Sequence, residues 1–312
     1  MDAVASVPDQ VRAACAWVAG RARSVTLDEP AIRRYVATLP AKAEVSGLDP
    51  ATHALEGDRE QVAGFVLCLD AINFGSGWWP TIRKRPGLSG YFTMAAGLTE
   101  RFRSAGAWSP AELARLRATD VAGTLDQDPD HPLMAQYAAS LRDVGAHVDE
   151  EHGGSFAAVV DAANGSAVAL AGELAGWDAF ADVSSYGGRD VPFFKRAQLT
   201  VADLDRAGVA RFPDEDRLTL FADNLVPHVL RVDGVLRLDG DLARAVDAGE
   251  LLAHGSAEEV ELRACAVHAV ELLSDATRRK LQPVDLDYVL WNRGQEPRYK
   301  ALPRPRSRTT AY

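Results

Sequence analysis

Cysteine is scarce in this chain of 312 residues, and its three copies, Cys15, Cys68 and Cys265, lie far apart in apolar, helix-like sequence. That spacing excludes a disulfide framework, a zinc ribbon and a C-x-x-C redox motif. It reads as buried free thiols in a reducing compartment. A basic N-terminal region leading into an apolar run is missing, and no apolar stretch approaches the roughly 18 residues needed to span a bilayer. The chain is therefore expected to be cytoplasmic and to have no membrane partner. Positive charge is in deficit as well: 34 Lys and Arg against 44 Asp and Glu leave a formal charge of -10. Duplex nucleic acid requires a dominant basic face, so DNA is not the expected partner.

Several motifs are absent or incomplete. Without G-x-S-x-G, Ser76 does not sit in a nucleophile elbow, which argues against acyl transfer. Gly75-x-Gly77 has neither a preceding strand nor a third glycine, so it is no dinucleotide fingerprint. His147 and His152, with Glu150 and Glu151, form H-x-x-x-E-H, one residue longer than the inverted zincin pattern. This reads instead as a solvated acidic helix end before Gly153-Gly154. Asp239-Gly240-Asp241 lacks the later glycine and glutamate of a calcium loop. No metal is expected.

What is present is a soluble, mainly helical pattern, with 47% hydrophobic and 25% charged residues. Helical apolar spacing predicts segments at Val7–Ala22, Ala31–Leu39, Gln61–Phe74, Tyr91–Ala105, Pro110–Leu116, His131–Val144, Phe156–Ala163, Ala167–Leu174 and Ala257–Leu273. The run Glu258–Arg263 reads as a helix first turn with local ion pairs. Short strands are expected near Ala43–Val45 and around the turns Asp233-Gly234 and Asp239-Gly240. No repeat or low-complexity linker divides the chain, which reads as a single domain over 1–312.

Two segments carry chemistry. After Pro192-Phe193-Phe194-Lys195-Arg196, a helix is expected to be capped by Thr200, with Asp203 three residues on. A second is expected to open at Asp214 and carry Leu218, Leu220 and Phe221 into Asp223. Pro227 is placed to start the next helix, so Asp223 falls at a helix N-terminus, where backbone N–H groups and the macrodipole favour a carboxylate. A fixed carboxylate with Lys195 nearby suits cleavage of an N-glycosidic bond. That reaction passes through an oxocarbenium-like state that wants negative charge beneath the sugar. The other segment is Leu69–Pro80. Asp70 and Asn73 lie one helical turn apart, and Phe74, Trp78 and Trp79 offer flat apolar surfaces. Together they either read and stack a purine-like base, or brace a helix end and fill the core. Finally, Trp291–Tyr312 holds six basic residues and one acid. It is either a solvated tail or a segment folded over a site for a phosphate monoester.

Taken together, the blocks LDAINFGSGWWP (69–80), VPFFKRAQL (191–199), LTLFADNLVPHVLRVDGVL (218–236), EEVELRACAVHAVELL (258–273) and RPRSRTTAY (304–312) resemble the queuosine salvage family. The resemblance spans roughly residues 20 to 312. It implies hydrolysis of queuosine 5′-monophosphate to queuine and ribose 5-phosphate, feeding tRNA modification. It also implies a mostly helical fold similar to helix-hairpin-helix DNA glycosylases, with no metal or organic cofactor and no obligate protein partner. Carried onto this sequence, the catalytic carboxylate is Asp223, with Lys195 either holding it or stabilising the leaving base. Asp70, Asn73 and Phe74, with His53, are implied in the base pocket beside Trp78 and Trp79. Trp291, Arg298, Tyr299, Lys300, Arg306 and Arg308 are the candidates for closing the site and holding the phosphate. The sequence departs from the family at Trp78-Trp79-Pro80, where aromatic-Phe-Pro is usual. It also lacks the usual histidines near Phe92 and Pro305. Two competing readings are a non-catalytic queuine or nucleotide carrier and a DNA glycosylase proper.

Overall fold

The computed structural model of the protein describes residues 5–44 and 48–312. Among them are fifteen α-helices and six strands of two to four residues, so the fold is mainly α. In chain order come α1 (Val7–Ala19), β1 (Val25–Leu27), α2 (Glu29–Tyr35), α3 (Arg59–Ala71), α4 (Gly90–Ala105), α5 (Pro110–Leu113), α6 (Ala118–Leu125), α7 (Pro132–His152), α8 (Phe156–Ala162) and α9 (Ala167–Leu174). A hairpin, β2 (Val183–Tyr186) and β3 (Arg189–Pro192), leads into α10 (Lys195–Arg206). Then follow α11 (Leu225–Val232), β4 (Leu236–Leu238), α12 (Gly240–Asp247), β5 (Leu251–Leu252), α13 (Ala257–Ala276), α14 (Pro283–Arg293), α15 (Pro297–Lys300) and β6 (Arg306–Ser307). No described helix is long and apolar enough to cross a membrane.

Helix starts follow ordinary capping chemistry: Asp28, Asp58, Ser89, Ser155, Ser166 and Ser256 each accept a first-turn N–H with the side chain. Helices α3 to α10 close over one apolar cluster that includes Phe65, Leu98, Tyr137 and Leu170. Helices α1, α2, α11, α13 and α14, with β1 and β4, enclose a second that includes Val11, Val25, Leu230 and Val267. Phe194, half-buried at the head of α10, packs against both. All three cysteines are buried and free.

Three local expectations change and a fourth is extended. Thr200 is not a cap: α10 begins at Lys195, and the Thr200 hydroxyl donates back to the Arg196 carbonyl at 2.8 Å, inside the helix. The signal that really starts α10 comes from Asp182. Its carboxylate accepts from Lys195 N at 3.1 Å, and its carbonyl accepts from Phe193 N at 2.9 Å. The helix expected from Asp214 to Phe221 is a single 3₁₀ turn, Glu215–Arg217, followed by extended chain. Asp214 instead binds the start of α9, accepting from Ser166 Oγ and Ala167 N at 2.7 Å each. The Glu258–Arg263 run does open α13 and holds a local Arg263–Glu259 pair at 3.9 Å, but Glu261 and Arg263 are buried and also bind far along the chain. Glu261 accepts from the backbone of Arg23, Ser24 and Val25, and Arg263 pairs with Asp182. Of the strands, β4 lies between the two Asp-Gly turns and pairs antiparallel with β1. Ala43 is not in a strand, and Val45 lies outside the described residues.

The basic C-terminal segment packs onto the body of the molecule. Strand β6 pairs parallel with β5, Pro305 O accepts from Asn224 Nδ2 at 2.7 Å, and a main-chain oxygen of Tyr312 accepts from Gly75 N at 3.0 Å. Gly77 lets it pass: a Cβ there would stand 2.3 Å from Ser307 O and 2.8 Å from Arg308 N. Those are backbone atoms, which cannot swing aside like a flexible side chain. Gly77→Ala should therefore cost about 1–3 kcal/mol of overpacking and loosen the segment. Limited trypsin digestion should cut the variant after Arg306 and Arg308 sooner than the native protein. Unchanged digestion and melting would contradict this packing.

Candidate active site

A cavity of about 660 Å³ is bordered by elements of both apolar clusters. One wall is a single face of α10. Lys195, Leu199, Asp203 and Arg206 recur at helical spacing and all line the cavity. A second wall is the matching face of α14, with Asp287, Tyr288, Trp291 and Asn292. The floor is the extended stretch ending in Phe221, Asp223 and Asn224, which enters α11. There Asp223 Oδ1 accepts from Leu225 N at 2.8 Å and Val226 N at 3.0 Å, so the free N–H groups of α11 fix the carboxylate. The C-terminal segment adds Arg304, Arg306 and Tyr312.

The charges fall into two sets with Asp223 common to both. One set is Lys195, Asp287, Asp203 and Arg206. Burial lowers the Lys195 ammonium below its usual range, opposed by the charges of Asp223 and Asp70. Its Nζ donates to Asn73 O at 3.1 Å. Asp203 Oδ1 accepts from Arg206 at 3.1 Å, yet burial still raises this carboxyl. Asp287 accepts from Phe221 N at 3.1 Å and is pushed up to about 8, first by burial and then by the charge of Asp223. In the other set Arg304 is half-buried, and its desolvation lowers the guanidinium against the pull of Asp223. Arg306 donates to Gly249 O at 3.1 Å. An aromatic group stands near the carboxylates: Trp291 meets both Tyr91 and Phe92 edge-on, each with 6.3 Å between ring centroids. His53 is held between Asp49 O, 2.9 Å from Nδ1, and the Tyr91 hydroxyl, 3.2 Å from Nε2.

Of the residues singled out from the sequence, His53, Asn73, Trp79, Lys195, Asp223, Trp291, Tyr299, Lys300 and Arg306 line this cavity. The others stand behind it or away from it. Asp70 is fully buried and accepts from Asn73 Nδ2 at 3.2 Å, so it braces the residue that faces the cavity. Burial raises its carboxyl well above the usual range, with the charge of Asp203 adding to the effect. Phe74 is core, edge-on to Tyr137 at 4.9 Å and beneath the Arg196 guanidinium. Trp78 packs on the first apolar cluster. Arg298 pairs with Asp233, which also accepts from the Tyr299 hydroxyl, and Arg308 is exposed outside the lining. His147 stacks flat on Trp177 with 4.7 Å between centroids, away from the cavity, and His152 pairs with Glu173 at 2.6 Å. His152 and Glu173, with Glu151, bring three ligand-type atoms within 4.8 Å of one another, away from the cavity lining.

Sequence reading missed Asp203, Arg206, Asp287 and Arg304. The signal for the first two was the spacing of Lys195, Leu199, Asp203 and Arg206, visible once α10 starts at Lys195. Asp287 and Trp291, four apart, carry the same helical signature on α14.

A helical fold with a fixed carboxylate, a buried lysine and an aromatic cavity defines a site for a small polar molecule. Residues 52–312 match the family model described as queuosine salvage protein, and the chain belongs to that family. It is similar to a queuosine 5′-phosphate N-glycosylase/hydrolase from Sphaerobacter thermophilus, 33% identical over 312 aligned residues and 95% of each chain. It resembles the protein of that name from Bos taurus at 29% identity, over 96% of this chain and 98% of the relative. The one from Dictyostelium discoideum is 27% identical over 97% and 98%.

The raised Asp287 carboxyl has a consequence for stability. Between its ordinary value of 3.8 and about 8 the folded protein holds a proton there that the unfolded chain has released. Stability therefore falls as pH rises through that window. Asp287→Asn keeps an acceptor for Phe221 N and cannot ionise. Its melting temperature should exceed that of the native protein at pH 8, by a margin that shrinks toward pH 5. A margin that is constant with pH would remove the buried-acid assignment.

Proposed function

We propose that the protein hydrolyses the N-glycosidic bond of queuosine 5′-phosphate, releasing queuine and ribose 5-phosphate. The observation that carries this reading is Asp223, held by two backbone N–H groups at the head of α11 and bordering a cavity of about 660 Å³ in a chain of this family. As the bond to the base lengthens, positive charge develops on the ribose at the anomeric carbon and ring oxygen. A preorganised carboxylate stabilises that charge without waiting for solvent to reorganise. Asp223 also orients the attacking water and takes its proton. Lys195, buried beside Asp223, keeps that carboxylate in place and is itself anchored on Asn73 O.

The base lies on the side of Tyr91, Trp291 and Asp203, where an aromatic face and carboxylates meet a ring with donor edges. The 5′-phosphate lies on the side of Arg304, Arg306 and Lys300. Local arginines in a chain of net charge -10 suit one small dianion rather than a polyanion, which sets DNA aside as substrate. Binding energy from the phosphate, remote from the reacting bond, aligns the sugar and appears in the rate.

Asp223→Asn retains the shape and loses the charge. Release of queuine, followed by chromatography without added metal, should drop by about a thousandfold or more, while ligand binding persists. A near-native rate in this variant would reject the mechanism. Native protein that binds the nucleotide and never releases base would instead be a carrier. Arg304→Met should lower kcat/KM for the nucleotide by at least about tenfold more than for the nucleoside lacking phosphate. Equal losses on the two substrates would remove Arg304 from the phosphate site.

A further inference from the structure

We propose that Asp287 is the general acid of this reaction, handing its proton to the departing base as the glycosidic bond breaks. The inference rests on the reaction assigned above and goes beyond it, because that reading leaves the proton of the leaving group unassigned. The chemistry makes the question sharp. An ordinary purine can be protonated on N7 before it leaves, but queuine is a 7-deazaguanine and has carbon there. The electron pair of the broken bond must be met by a proton on a remaining ring nitrogen, from a donor inside the cavity.

Five other proton carriers lining the cavity have partners of their own. Asp203 is held in an ion pair with Arg206 at 3.1 Å. The Tyr91 hydroxyl is engaged with His53, and burial makes this phenol a far weaker acid than usual. His53 uses both ring nitrogens, and His228 has Nε2 on Tyr299 O at 2.9 Å while burial disfavours a second proton on its ring. Lys195 donates one N–H to Asn73 O, and in the reading above its ammonium is kept to hold the Asp223 carboxylate.

Asp287 differs from all of these. It is buried, borders the cavity, and has no cation within ion-pair distance among the described residues. The charged groups that face it are Asp223 from the head of α11, and Arg206 and Lys195 from α10. Its one assigned hydrogen bond is accepted on Oδ1 from Phe221 N, two residues before Asp223, so both carboxyls are set by the same short stretch of extended chain. A neutral carboxyl fits this geometry, since its carbonyl oxygen takes the Phe221 N–H and its hydroxyl remains to donate. Burial and the negative charge of Asp223 keep that proton on up to a pH of about 8. A carboxyl that keeps its proton, lining the same cavity as a carboxylate fixed by backbone N–H groups, gives that cavity an acid and a base.

The step balances. The C1′–N bond breaks and its electron pair goes to the base. The Asp287 proton goes to a base ring nitrogen, and water oxygen bonds to C1′. Asp223 takes the water proton, and solvent returns one proton to Asp287 and removes one from Asp223. No other reactant is required.

The test compares two leaving groups, queuosine 5′-phosphate and 4-nitrophenyl riboside 5-phosphate, whose phenolate departs without help. Asp287→Asn should lose about a hundredfold or more on the nucleotide and stay within about threefold of native on the nitrophenyl compound. For native protein, kcat/KM on the nucleotide should fall above a pH of about 8, and that fall should vanish in the variant. Comparable losses on both substrates would make Asp287 a brace for Phe221, and so would a basic limb that persists in Asp287→Asn. If the phenyl ring is not accepted, the pH profile decides alone. Native protein that cleaves neither substrate overturns the reaction itself, which separates that failure from an error about the acid.

Discussion

The site depends on one buried cation. Arg263, from the second turn of α13, makes a bidentate pair with Asp182 at 2.9 and 2.6 Å and donates Nε to Ala222 O at 2.9 Å. Its guanidinium also lies over Phe193, 3.9 Å from the ring centroid, and over Tyr312 at 4.7 Å. Asp182 in turn starts α10 and so places Lys195, while Ala222 immediately precedes Asp223. One side chain therefore sets the lysine, the carboxylate and the C-terminal segment relative to each other. A pair this buried adds little net stability, because desolvation offsets its attraction. Stripping either partner would still strand a charge at a cost of about 3–5 kcal/mol. What the pair contributes is register.

The cavity works against stability elsewhere. Asp70, Asp203 and Asp287 are all buried carboxyls, each raised by that burial, while Lys195 is lowered by it. A chain selected only for stability would fill these positions with apolar side chains. Clusters of this kind are where a protein keeps chemistry. Their arrangement, with Asp203, Arg206 and Asp287 in one charged set around Asp223 and Arg304 and Arg306 in the other, suits the substrate proposed above, a base at one end and an anion at the other. Departures from the family pattern leave this division intact. Phe92, where the family has histidine nearby, joins the aromatic group with Tyr91 and Trp291. Trp79 packs so closely that a Cβ on Gly90 would stand 2.4 Å from its ring.

Much was legible in the sequence, for local reasons. Helices such as α3, α4, α8 and α9 carry a capping side chain, helical apolar spacing or both within a few residues of one another. Asp223 was legible as a helix-head carboxylate because Pro227 and the apolar run after it lie within one turn. What failed did so where the deciding partner is distant. The true start of α10 depends on Asp182, thirteen residues back, and with Thr200 taken as the cap, Asp203 and Arg206 lost their shared face with Lys195. Asp70 and Asn73, one turn apart, looked equivalent. Only packing shows that Asn73 meets the cavity and Asp70 stands behind it.

The sequence by itself determined the helical class, the three isolated thiols, the acidic balance and the family blocks that hold Asp223 and Lys195, since each is a property of composition or of neighbours along the chain. Tertiary structure decided which basic residues matter: Arg304 is drawn into the cavity, Arg298 is consumed by Asp233 and Arg308 is left in solvent. It also made Asp287 a buried acid rather than a helix-surface carboxylate. Burial and the field of distant charges set protonation, and neither can be read from the order of residues alone.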